Sequence, residues 1–306
     1  MRGAHIVELG AEPVRVDITS EGSFEVAAVA LNPVDLAVAA GRFAGGHPPL
    51  PYVPGCEAIG HRNGERMHLF GDGRGIVKDG FLVERVELSD AFAVSVPDGL
   101  DDARAAACGI AGMAGWAPVS MRAPVRSDDR VLVLGATGTV GSIALQGARL
   151  LGAERVVAAG RDDAKLQRTL ELGADATVRL DGDDLAARFR EACGADGPTL
   201  VIDPLWGEPA RAAVDAAAPG ARIVQVGQSA GPEATLTSAA IRLKQLSILG
   251  YTDFALTLDE RREVYGGLAE QVVAGRIRID VETFQLDEVS GAWSAQQEGR
   301  KAVVLL

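Results

Sequence analysis

Between residues 130 and 226, apolar runs of about four residues alternate with apolar-periodic stretches of about ten, and few folds accommodate that alternation. Val131-Leu132-Val133-Leu134 is apolar throughout, as a strand covered on both faces must be. A helix is expected over Val140 to Leu151, ended by Gly152, then a strand at Val156 to Ala159 and a helix over Ala164 to Leu172. The series continues with a strand at Ala176 to Val178, a helix from Leu185 to Cys193, and a strand at Leu200 to Asp203. A helix around Ala210 to Ala217 and a strand from Arg222 to Val226 complete it. Strands alternating with helices predict a doubly wound parallel α/β sheet of the Rossmann type, because parallel neighbours need long crossovers.

The flanks read differently. In the first hundred residues, valine-rich segments (Phe24 to Leu31, Phe81 to Val86) are broken by Pro33, Pro48, Pro49, Pro51, Pro54 and many glycines, which suggests an irregular barrel or sandwich. The last fifty residues hold expected helices near Asp259 to Val273 and Asp287 to Gln297, a strand-like segment from Val281 to Leu286, and a final strand from Ala302 to Leu306. A terminal apolar strand needs a partner, and the N-terminal β region offers one. The parallel unit, residues 113–251, is therefore expected as an insertion in a mostly β domain formed by residues 1–112 and 252–306.

Composition excludes several classes. A net charge of -12 without a basic cluster argues against nucleic acid. No apolar run approaches the eighteen or so residues of a membrane span, and the N-terminus reads as a strand rather than a secretion signal. Cys56, Cys108 and Cys193 are too scattered for a disulfide framework, so a cytoplasmic setting is expected.

The chemistry concentrates at Gly135-Ala136-Thr137-Gly138-Thr139-Val140-Gly141, which lies between a strand and a helix. Glycine lets backbone approach a pyrophosphate, and the helix N-terminus offers N–H groups to the anion. The next strand ends at Gly160, followed by Arg161. A carboxylate at that tip selects the free ribose 2′-hydroxyl of NAD; a guanidinium suits the 2′-phosphate, so the expected cofactor is NADPH. Asp162 and Asp163 follow, and could instead turn Arg161 outward. Asp203 and Gly227 sit at carboxyl ends of strands, where α/β ligands bind, although Asp203 could equally cap the next segment.

Taken in order, these motifs resemble the medium-chain dehydrogenase/reductase superfamily, in particular its zinc-free quinone oxidoreductase branch. Met1-Arg2-Gly3-Ala4 is similar to its opening strand, and Leu31-Asn32-Pro33-Val34-Asp35 with Gly41-Arg42-Phe43 to its N-P-x-D segment. Leu50-Pro51-Tyr52-Val53-Pro54-Gly55-Cys56-Glu57 resembles P-x-x-P-G-x-E, Ala111 to Trp116 the entry into the nucleotide domain, and Lys244 to Gly250 the strand lining the nicotinamide pocket. The resemblance implies a GroES-like β domain, an active site in the interdomain cleft, a homodimer, and hydride transfer from NADPH to a quinone or an α,β-unsaturated carbonyl compound.

Zinc-dependent relatives have cysteine at the position of Asn32, histidine at Cys56 and a third ligand near Ile110, so the resemblance implies no metal here. A set of Cys56, Glu57, His61 and His68 matches no standard spacing. Without a metal, the substrate oxygen needs hydrogen-bond donors, and Asn32 and Tyr52 are the candidates; their alternatives are a turn-forming amide and a packing aromatic. Phe43 and Ala114 stand where relatives carry tyrosine and threonine. Those two departures leave open a carrier- or CoA-bound enoyl substrate, and also a non-catalytic NADPH-binding sensor or scaffold.

Overall fold

The computed structural model describes residues 1–194 and 196–306. The chain divides into two compact units, one of residues 1–111 with 254–306 and one of residues 112–253.

The chain opens with β1 (Arg2–His5), β2 (Val14–Asp17) and β3 (Phe24–Ala30), then α1 (Pro33–Ala39), β4 (Glu57–Arg62), β5 (Glu65–Phe70), β6 (Arg85–Val86), β7 (Ala93–Ser95) and α2 (Asp102–Ala107). The second unit runs α3 (Met113–Ala117), β8 (Arg130–Leu134), α4 (Thr139–Leu150), β9 (Arg155–Gly160), α5 (Asp163–Glu171), β10 (Ala176–Arg179) and α6 (Leu185–Cys193). It continues with β11 (Leu200–Asp203), α7 (Gly207–Ala216), β12 (Arg222–Gln225), α8 (Ser238–Lys244) and β13 (Ser247–Gly250). The return to the first unit supplies α9 (Leu258–Val273), β14 (Glu282–Gln285), α10 (Val289–Gln297) and β15 (Ala302–Leu305).

In the second unit, β8 to β13 form a parallel sheet in the order β10-β9-β8-β11-β12-β13. Val131, Leu132, Val133 and Leu134 are fully buried, which is why that stretch could be uniformly apolar. Neighbouring β9 and β11 connect to β8 on opposite sides, so the strand order reverses at β8 and opens a crevice at its carboxyl end. Asp162 and Asp184 start α5 and α6 by accepting the backbone N–H groups of Lys165 and Ala187.

In the first unit the main sheet runs β14-β15-β3-β4-β5-β7, with β6 also on β3 and a separate β1-β2 pair. β15 lies antiparallel to β3, placing the C-terminal strand where its apolar sequence finds cover. Trp293, Phe24, Phe81 and Leu69 lie within one core there.

Two segments depart from the sequence reading. Of Phe81 to Val86, only Arg85–Val86 pairs as a strand; Phe81 and Leu82 instead donate singly to Gly55 and Pro54, since the proline-rich backbone they meet cannot form a regular ladder. The expected strand at Lys244 to Gly250 begins only at Ser247. Residues Ser238–Lys244 are helix α8, capped by Thr237 and ended by Gln245 in the left-handed region at φ 53°.

Candidate active site

The glycine turn shows a division of labour. Gly135 has φ 61°, a conformation glycine adopts without strain. A Cβ on Gly141 would lie 2.3 Å from the Gly135 carbonyl oxygen, so α4 packs against the turn only because that position has no side chain. Gly138 differs from both: its φ is −92° and the nearest atom to an added Cβ is 3.6 Å away. Nothing within the fold requires glycine there. Gly138 has no side chain with which to cap α4, so the first turn of that helix leaves its backbone donors and positive end directed outward. Ala136 is buried, whereas Thr137, Thr139 and Val140 are partly exposed around the turn.

Gly160 closes against this turn, since a Cβ on it would come within 2.9 Å of the Thr137 methyl group. Arg161 follows in the open. The two aspartates that could have claimed its guanidinium are committed elsewhere. Asp162 caps α5, accepting the Lys165 N–H at 3.0 Å, and Asp163 pairs with Arg179. Among the described residues, Arg161 makes no hydrogen bond or ion pair.

Asp203 is fully buried rather than turned to a ligand. Its Oδ1 accepts the N–H groups of Leu205 and Trp206 at 2.9 and 2.8 Å, so its direct role is to shape the loop after β11; Oδ2 has no partner. Burial raises its pKa against the opposing effect of those two N–H groups. Gly227 lies against that loop, 2.9 Å from a Cβ position to the Pro204 carbonyl oxygen.

A second cluster occupies the first unit. Asn32 starts α1 ahead of Pro33, and its backbone N–H donates to Asp35 Oδ2 at 2.8 Å. Its amide Nδ2 donates to Glu57 Oε1 at 2.8 Å and to Ala30 O at 3.1 Å, while Oδ1 accepts from Lys301 Nζ at 2.7 Å. This corrects the expectation that Asn32 presents a donor to substrate: the side chain is 0% exposed and both amide hydrogens are engaged. Glu57 Oε2 accepts the Ile110 N–H at 2.6 Å and faces His68 Nε2 at 2.9 Å. Lys301 Nζ also donates to Leu31 O at 2.9 Å and lies 3.8 Å from Glu57 Oε1. A buried carboxylate is thereby surrounded by donors on both oxygens.

The strand register explains the arrangement. Glu57 opposes Phe70, and Ile59 opposes His68, so Glu57 and His68 share one face of the β4-β5 pair. The His68 ring stacks on Tyr265 at 4.7 Å, and the Tyr265 hydroxyl donates to Ala105 O at 2.9 Å. Gly109 makes the meeting possible, because a Cβ there would sit 1.7 Å from Glu57 Oε2. Of Cys56, Glu57, His61 and His68, only Glu57 and His68 meet; His61 faces Asp102 at 3.5 Å. No group of three or more His, Cys, Asp or Glu able to hold a metal ion occurs among the described residues.

Tyr52 is a core residue of the first unit, 1% exposed, with backbone bonds to Ile6 in both directions. Its hydroxyl is buried without a partner, and burial pushes its pKa up, which corrects the expectation that Tyr52 offers its hydroxyl to substrate and favours its reading as a packing aromatic. Lys301 was missed from sequence, while His68 was weighed only as a metal ligand and Asp35 only as part of a motif. A histidine on the buried face of Met67-His68-Leu69-Phe70 was the available signal for one of them.

A switch-point sheet with a glycine turn, paired with a β-rich unit that returns at the C-terminus, defines the medium-chain dehydrogenase/reductase architecture. The chain has that fold and is similar to oxidoreductases of that superfamily. A sequence-family profile described as zinc-binding dehydrogenase matches residues 139–265. The chain is 26% identical over 299 residues to the quinone oxidoreductase of Lama guanicoe, covering 95% of this chain and 89% of that protein. It is 27% identical over 293 residues to a phenolphthiocerol/phthiocerol polyketide synthase of Mycobacterium tuberculosis, covering 90% of this chain but spanning only 13% of that relative's length. The quinone oxidoreductase of Thermus thermophilus, whose complex with NADPH is known, superposes at a TM-score of 0.83 with 26% identity and full coverage of both chains. No helix among the described residues is long and apolar enough to cross a membrane.

Asp35 accepts the Asn32 and Cys56 N–H groups, yet burial raises its pKa from 3.8 to about 6. A carboxyl raised in the folded chain takes its proton at higher pH than the unfolded chain does. Its contribution to stability is therefore greatest at acid pH and is lost as pH rises through about 6. The melting temperature of the wild type relative to Asp35→Asn is expected to be higher near about pH 4.5 than near about pH 7.5. Thermal scans of both proteins check this, and a constant difference across that range contradicts it.

Proposed function

We propose that the chain is an NADPH-dependent reductase of quinones or α,β-unsaturated carbonyl compounds that works without zinc. The observation carrying the cofactor half is Arg161, an exposed guanidinium left without a partner beside Gly160 because both neighbouring aspartates are engaged. Gly135 to Gly141 and the first turn of α4 would hold the pyrophosphate, Arg161 the 2′-phosphate, and the loops at Asp203 and Gly227 the remaining half.

The donor set in the first unit does not fit zinc. Asn32 is consumed by Glu57 and Lys301, Ile110 offers only its backbone, and burial and nearby Asp35 hold the Cys56 thiol well above its ordinary pKa. Lys301 Nζ stands 3.8 Å from Glu57 Oε1. A zinc-free site departs from the zinc-binding dehydrogenases after which the matching profile is named.

Bound NADPH supplies a hydride. The chain's own task is to orient the acceptor and steady the charge that develops on its oxygen. Tyr52 does not meet that need as it stands, because its hydroxyl, although unpartnered, is buried in the core of the first unit. Solvent then supplies the proton after hydride transfer. The network around Glu57 fixes the start of α1 and does not meet substrate.

A second reading, reduction of a carrier-bound enoyl group, is favoured by the likeness to a polyketide synthase. Turnover of carrier-linked but not free enones separates the two. A homodimer formed through β13 also fits: that strand pairs only with β12 within the described residues, and its Ile248 is 37% exposed. Sedimentation in dilute buffer should give twice the mass of one chain; the mass of a single chain removes the dimer.

Titration by nicotinamide fluorescence should show NADPH binding more tightly than NADH. Arg161→Asp should weaken NADPH by roughly ten- to a hundredfold, the cost of charged hydrogen bonds, and leave NADH little changed. Equal binding of both nucleotides by the wild type overturns the NADPH assignment. With small quinones and enones, Tyr52→Phe should leave kcat and NADPH affinity unchanged, because the buried hydroxyl does not reach substrate. A kcat lowered by about tenfold or more returns Tyr52 to the reaction.

A further inference from the structure

Trp206 adopts φ 59° and ψ −157°, a region that only glycine enters without strain. The conformation is enforced from outside. Asp203 Oδ1 holds the N–H groups of Leu205 and Trp206, and the following loop is bonded alongside: Val226 N–H to Asp203 O at 2.8 Å, Ser229 N–H to Pro204 O at 3.3 Å and Ala230 N–H to Leu205 O at 2.8 Å. Gly207 next in sequence lies 3.2 Å, from its Cβ position, to Ala230 O. A fold that needed only this turn would be served better by glycine at 206, so the indole is retained for something the loop itself does not supply.

The surroundings indicate what that is. The loop follows β11, which neighbours β8 on the side away from β9, at the carboxyl end of the sheet. Leu205 touches the glycine turn, 3.0 Å from the Cβ position of Gly135. In the same loop Asp203 keeps a fully buried carboxylate oxygen, Oδ2, with no partner. The Trp206 side chain is partly exposed and is absent from the buried core of the second unit.

We infer that Trp206 is a ligand-contact residue that stacks on the nicotinamide half of the dinucleotide and fixes the orientation of its ring. This rests on the NADPH reading above: if the 2′-phosphate belongs to Arg161 after β9 and the pyrophosphate to α4 after β8, the other half extends toward β11. An indole at that place offers a flat apolar face to a pyridine ring, and backbone strain is the cost of presenting it.

The experiment compares NADPH with 2′,5′-ADP, which carries the 2′-phosphate but lacks the nicotinamide half, by calorimetric titration of wild type, Trp206→Gly and Trp206→Phe. Trp206→Gly should weaken NADPH by about tenfold or more while leaving 2′,5′-ADP unchanged, and Trp206→Phe should recover most of the loss. Without ligand, Trp206→Gly should melt no lower than wild type, because relief of strain offsets the added freedom of the unfolded chain. Unchanged NADPH affinity, equal losses for both ligands, or a lowered melting temperature of the free protein each overturns the role of Trp206. Failure of the wild type to bind either nucleotide instead overturns the NADPH reading.

Discussion

Burial of the Glu57 carboxylate constrains the first unit more than any other interaction. A carboxyl group at 0% exposure is tolerated only when its oxygens are met by donors. Those donors come from four separated places: Asn32 at the start of α1, His68 on β5, the Ile110 backbone, and Lys301 just before β15. Meeting that requirement joins the first and last segments of the chain in one unit and sets the β4-β5 register, since a slip of one residue would carry His68 to the opposite face. It also explains a glycine, because Gly109 yields its side-chain volume to Glu57 and His68. Burial lowers the pKa of Lys301, while the Glu57 charge works in the opposite sense.

The second unit depends on a steric constraint instead. Gly141 lets α4 approach the end of β8, which brings the uncapped start of that helix to the point where the strand order reverses. The protein is acidic overall, with a net charge of -12, so an anionic cofactor is attracted only by local arrangement. The helix end and the uncommitted Arg161 form such an arrangement. The Arg161 guanidinium is available because Asp163 has Arg179 and Asp162 has the α5 backbone.

Much of this was legible in the sequence wherever the signal was local. The parallel unit follows from runs such as Val131 to Leu134 and Leu200 to Asp203, whose both-face burial removes any ambiguity of period. The pairing of the C-terminal strand followed from its lack of polar residues. Failures occurred where distant segments decide. Asn32 reads as a free amide at a strand end, and only its distant partners, Glu57 on Nδ2 and Lys301, 269 residues away, on Oδ1, show that it is occupied. The sign of Arg161 was readable, but its freedom depended on Arg179, which no local pattern connects to Asp163. Helix α8 was missed because none of its residues is buried, which erases the periodicity that marks a packed helix. Trp206 gave no sequence signal at all, since its distinction is a backbone angle.

The place where the nucleotide is held decides the rest, and a crystal structure of the protein grown with NADP⁺ tests it most directly. It should show the 2′-phosphate within hydrogen-bonding distance of the Arg161 guanidinium and the pyrophosphate on the backbone N–H groups that begin α4. A nucleotide bound elsewhere, or one at the glycine turn with its 2′-phosphate turned away from Arg161, would contradict it.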